Sequence, residues 1–234
     1  MKERPILFNS EMVNAILEGR KTQTRRILKK QPPENMTRHC WFSSSTSTYG
    51  FTNQPIPSYK WWKINCPFGR VGDRIWVRET WAPVNLYGEI ALAYKANSKV
   101  IRVEENESFL DEEGFINYDD PRLEKYSFAA WAYDLLDGKE GVWSPSIHMP
   151  RWACRLVLEI TGIRVERLND ISENDAIAEG CDNSKSEAAI QMGWYERPVR
   201  AFSRRWEWIY GKDSWKQNPW VWVIDFNVIQ GGES

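Results

Sequence analysis

The stretch GRKTQTRR, Gly19–Arg26, holds four cations and two threonines within eight residues. A guanidinium can grip phosphate or carboxylate through paired hydrogen bonds, so Arg20, Arg25 and Arg26 could hold an anionic ligand. A lysine beside a threonine offers other chemistry: Lys21 could take a proton so that the Thr24 hydroxyl attacks a carbonyl. An acid would complete the set by protonating the leaving amine, and Glu79 is the candidate. Lys21, Thr24 and Glu79 together would suffice to hydrolyse an amide. The plainer alternative is a solvated basic turn behind a helix C-terminus, where cations also favour the helix dipole.

Glu79 stands out by parity. In VGDRIWVRETWAP, Ile75 and Val77 alternate with Arg74, Trp76 and Arg78, a strand pattern that puts Glu79 on the apolar face. An ionised carboxylate at such a position needs a partner. Parity also opposes Lys21 and Thr24, because a strand through the motif would send them to opposite faces. Their convergence requires a turn or bulge.

Other hydrolytic constellations lack support. The chain has two histidines, neither in a GxSxG-type motif, and HExxH is absent. The set His39, Cys40, Cys66 and His148 matches no zinc-finger or knuckle spacing, so neither metal nor cofactor is expected.

The elements that must position these residues can be read in order. NSEMVNAILEGRK has Met12, Val13, Ile16 and Leu17 on one helical face, with Ser10 as candidate N-cap and Gly19 as the stop. CRLVLEI reads as a strand. DISENDAIAEG reads as a helix with a Ser172/Asp175 capping box and Gly180 as its end. RPVRAFSRRWEWIYG reads as a longer helix with Val199, Phe202, Trp206 and Ile209 as its apolar stripe, and its Arg200, Arg204 and Arg205 form a second basic patch or a solvated face. In NPWVWVIDFNVI, Trp220, Trp222, Ile224, Phe226 and Val228 share one face of a strand, while Val221, Val223 and Asp225 share the other.

Two stretches interrupt this order. Residues 28–67 lose periodicity and read as a long loop or loosely folded insertion. Residues 83–150 read as a second insertion whose acidic run VEENESFLDEEGFINYDD is a solvated surface. Within the latter, YSFAAWAYDLL suggests a short helix packed by Trp131 and Leu135.

Separated strands with helices between them, without a βαβ rhythm, suggest an α+β fold: a small mixed β-barrel with flanking helices in one domain, 1–234. A formal net charge of −1 over 234 residues offers no global field toward nucleic acid or acidic membranes, so any basic site is local. No apolar run approaches membrane-spanning length, no signal-peptide core follows the N-terminus, and the four cysteines form no CxxC, all of which suggest a cytoplasmic protein. Fourteen tryptophans could serve core, stacking platform or partner interface alike.

GRKTQTRR fits the G-x-K-x-x-T-x-R signature of the ASCH family through Gly19, Lys21, Thr24 and Arg26. VGDRIWVRETWA resembles that family's second block. The resemblance extends to LEITGIRVERLNDISENDAIAEG and NPWVWVIDF, as in longer members carried by phages and prophages, and omits both insertions. It implies a PUA-like barrel with a helix beside a cleft, and binding of RNA or a modified nucleoside. Some small members hydrolyse the acetyl amide of N4-acetylcytidine with a Lys, a Thr and a Glu, which by carry-over are Lys21, Thr24 and Glu79. The binding-only version of the cleft uses Arg20, Arg25, Arg26 and Arg78 on phosphates and Trp76 or Trp81 on a base. A third reading has the aromatic and acidic insertions engage a host protein.

Overall fold

The computed structural model describes residues 1–36, 38–43, 48–55, 60–182, 184 and 186–231. In chain order these form β1 (Glu3–Leu7), α1 (Ser10–Leu17), β2 (Gln23–Ile27), β3 (Arg38–Ser43), β4 (Thr48–Thr52), β5 (Trp62–Asn65) and β6 (Arg74–Arg78). Next come β7 (Trp81–Leu86), β8 (Glu89–Tyr94), β9 (Lys99–Arg102), α2 (Ala132–Leu136) and β10 (Val157–Arg167). The chain ends with α3 (Glu173–Ala178), α4 (Glu187–Met192), α5 (Pro198–Tyr210) and β11 (Trp220–Gln230). The fold is α+β, mostly sheet with few helices. No helix among the described residues is long and apolar enough to cross a membrane.

The strands form an open five-stranded sheet, β1-β6-β10-β11-β2, and two three-stranded meanders, β3-β4-β5 and β7-β8-β9. Among the described residues they do not close into the expected barrel, since β1 and β2 remain the edges of the large sheet. The chain divides into two compact units. One comprises Met1–Pro5, Ala15–Trp76 and Leu156–Ser234; the other comprises Ile6–Asn14 and Val77–Arg155.

In the first unit, β11 pairs antiparallel with β10 and β2 and supplies two apolar faces, as its alternation suggests. Val221 and Val223 meet Leu168, Ala176, Phe202 and Trp206 beneath α3 and α5. Trp220 and Trp222 look the other way, onto rings from the β3-β4-β5 meander. Phe51 sits 5.0 Å from Trp220 and Tyr49 sits 5.5 Å from Trp222, both edge to face. The first insertion, read as a long loop or loosely folded segment, therefore holds a three-stranded sheet joined by irregular stretches; Ser44–Ser47 within SSSTST lie outside the described residues. Each large ring buried this way contributes about 1.5–3 kcal/mol, and these partners come from the far end of the chain.

Helix ends follow side-chain chemistry. Ser172 caps α3 and exchanges hydrogen bonds with Asp175. At α1 the cap is Asn9, one residue earlier than expected, whose Oδ1 accepts from the Met12 amide at 2.9 Å. Gly19 follows α1 with φ +71°, the left-handed conformation that suits glycine.

In the second unit, β7 and β8 bury Ala82, Val84, Ala91 and Ala93 against Ala132 and Leu135 of α2. Trp131, expected to pack that helix, is half exposed at its N-cap position instead. The acidic run is pinned by buried Val103, Phe109 and Leu123, with the Arg122 guanidinium 3.9 Å above the Phe109 ring. Trp81 is fully buried, edge to face with Tyr126 and Trp152.

Candidate functional site

Antiparallel pairing of β2 with β11 runs from Gln23↔Asp225 to Val221↔Ile27, and the Phe226 amide donates to the Thr22 carbonyl at 2.9 Å. The register has no bulge over Gln23–Ile27, so Gln23 and Arg25 share one face of β2 while Thr24 and Arg26 share the other. Lys21 lies just before β2, bridged to Glu179, and its ammonium meets the same Glu179 carboxylate as Arg25, on the face away from Thr24.

Lys21 is fully buried. Its Nζ donates to the Glu179 Oε2 at 2.5 Å, the Gln23 carbonyl at 2.7 Å and the Glu179 carbonyl at 3.2 Å, which uses all three ammonium protons. Burial pulls the Lys21 pKa below its ordinary value, opposed by the Glu179 charge and hydrogen bond. Gly180 makes this approach feasible. It stands at φ +79°, and a Cβ there would lie 3.0 Å from the Ala15 Cβ and 3.3 Å from the Lys21 Cβ.

Arg25 is equally buried. It donates to Glu166 through Nη2 at 2.5 Å and Nε at 3.1 Å, and to the Gln23 side chain through Nη1, which also lies 3.4 Å from Glu179 Oε1. Gln23 Nε2 donates to Asp225 at 2.6 Å and Asp175 at 3.1 Å. Arg164 closes the network on Asp175 (2.7 Å), Glu166 (3.1 Å) and Asp225 (3.2 Å). Three cations thus face four carboxylates across β2, β10, β11 and α3. Exposure rises outward from 0% at the Lys21 and Arg25 side chains to 37% at Arg164.

Asp175 tests the strength of this network. Burial acts to raise its pKa, but hydrogen bonds from Ser172 and Gln23 and the charges of Arg25 and Arg164 prevail, holding it down at about 2. A folded-state pKa below the unfolded one stabilises above about pH 4 and is lost as pH falls toward 2. A depression of that size corresponds to about 2.5 kcal/mol without screening; for this partly exposed carboxylate about 1 kcal/mol is expected. Asp175→Asn should flatten the stability loss between pH 4 and pH 2 by that amount in denaturant titrations. A profile falling as steeply as wild type would contradict this.

Glu79 is buried in the second unit. Both its oxygens accept from Arg155, Oε1 from Nε and Oε2 from Nη2, each at 2.8 Å. The Arg155 guanidinium lies 4.1 Å from the Tyr94 ring centre, and the Tyr94 hydroxyl donates to the Ala153 carbonyl at 2.8 Å. The carboxylate that meets Lys21 is thus Glu179, while Glu79 serves an ion pair of its own.

The remaining sequence-derived residues divide by exposure. Arg25 and Trp81 are too buried to touch phosphate or base. Arg20 is exposed and paired with Glu18, Arg26 and Trp76 are half-buried, and Arg78 donates to the Met149 carbonyl at 3.0 Å. Among the described residues no cluster of three or more His, Cys, Asp or Glu could hold a metal, and the Cys40 side chain lies outside them. Sequence reasoning missed Glu166, Asp175 and Glu179 as members of the site, although the parity of Asp225 with Val221 and Val223 placed it on the correct face.

No family model, curated protein or solved structure matches the chain.

Proposed function

We propose that the chain is an ASCH-type, PUA-related module that binds RNA in the cytoplasm and does not hydrolyse the amide of N4-acetylcytidine. One observation carries the second half: every proton of the Lys21 ammonium already has an acceptor, and Thr24 leaves the strand on the other face. A base saturated by Glu179 and turned away from its hydroxyl cannot activate it. The resemblance of GRKTQTRR to the ASCH signature supports the first half, with Gly19 ending α1 and Lys21 tying β2 to the end of α3. Phosphate contact on the motif side falls to Arg20 and Arg26, since Arg25 is committed to Glu166.

Fluorescence anisotropy with labelled single-stranded and hairpin RNA tests the binding. Affinity should fall steeply with salt, and Arg20→Gln combined with Arg26→Gln should lower the slope of log K against log salt by about 1.4, about 0.7 per lost single-strand phosphate contact. Binding that ignores salt, or no binding to either RNA, would refute it.

A further inference from the structure

Apart from the motif, a groove among the described residues combines rings with cations. It lies between α4 and α5, has a volume of about 370 Å³, and is lined by Met192, Trp194, Tyr195, Glu196, Arg200 and Arg204 among others. Trp194 is 65% exposed and Tyr195 48%, so two rings that would gain from burial stand in water. Beside them, Glu196 draws in Arg204 at 2.7 Å and Arg200 at 3.4 Å. The glutamate side chain is only 11% exposed while both arginines remain above 70%, so the pairing steadies the guanidinium groups without removing them from solvent.

The charge is local. Segment 196–210 carries four arginines against two glutamates, an excess of +2 in a chain of net charge −1. Spacings of four residues put Arg200, Arg204 and Trp208 on one stripe of α5, with Arg197 at its N-cap position, and Trp208 is 76% exposed. Exposed rings flanked by steadied guanidinium groups match a chain of planar bases joined by anionic linkers: a ring stacks on any base, and arginines track the backbone. An apolar protein surface would leave this positive excess without a counterpart.

We infer that the α4–α5 groove binds single-stranded RNA, stacking bases on Trp194 and Tyr195 and holding phosphates on Arg200 and Arg204. The inference rests on the RNA-binding reading but locates contacts away from the ASCH-like motif. The test uses the full chain and labelled 12-nucleotide oligouridylate and oligoadenylate in anisotropy titrations. Trp194→Ala should weaken binding about tenfold, while Trp194→Phe should retain most of it. Arg204→Gln should lower the salt slope by about 0.7. Circular dichroism matching wild type excludes misfolding at these exposed positions. Wild-type affinity in both Trp194→Ala and Arg204→Gln would overturn the inference. If affinity is lost only in the Arg20/Arg26 variant, RNA binding by the motif stands and the groove falls. Wild-type protein that binds neither oligonucleotide overturns both, and loss of affinity confined to the groove variants supports the groove against the motif.

Discussion

Arg155→Met is expected to lower stability by about 3–4 kcal/mol, because it strands the Glu79 carboxylate in the interior of the second unit. Both Glu79 oxygens depend on that one guanidinium, held by two 2.8 Å hydrogen bonds. The double variant Arg155→Met/Glu79→Leu should recover most of the loss, since a buried pair replaced by apolar groups is often neutral. Urea unfolding of the three proteins at pH 7 measures both effects. An Arg155→Met protein as stable as wild type would show that the pair is not what holds Glu79.

Lys21→Met carries the second large effect. It leaves Glu179 without its nearest counter-charge at a fully buried junction between β2 and the end of α3. Arg25 remains 3.4 Å from the other Glu179 oxygen, which sets the expected loss at about 3 kcal/mol, the low end for a broken buried pair. Lys21→Met combined with Glu179→Met should be markedly more stable than Lys21→Met alone. A poised catalytic base would behave differently: its removal would abolish chemistry and leave the unfolding midpoint in place. An unchanged midpoint in Lys21→Met would therefore favour catalysis over the structural role.

Local pattern made part of this architecture legible. The alternation in NPWVWVIDFNVI fixes which residues of β11 face α3 and α5, and the Ser172/Asp175 spacing marks the start of α3 because capping is a three-residue interaction. Parity likewise marks Glu79 as an inward carboxylate. The partners were not legible, because Glu179 is 158 residues from Lys21 and Arg155 is 76 from Glu79. Charge pairs over such distances leave no periodic trace. The β3-β4-β5 meander escaped for a related reason: its strands are only six, five and four residues long, and Tyr49 and Phe51 find their packing on Trp222 and Trp220 of the distant β11. Parity did suggest that an extended chain would separate Lys21 from Thr24, and the Lys21 ammonium lies with Arg25 on Glu179, on the face away from Thr24.

The claim that this motif builds a binding module rather than a hydrolase meets its most direct test in acetate release from N4-acetylcytidine. Wild-type protein and Thr24→Val, both checked for folding, are incubated with the free nucleoside and with an acetylated RNA. Release at the buffer rate from both proteins and both substrates is the expected result. Turnover by wild type that disappears in a folded Thr24→Val protein would contradict the account.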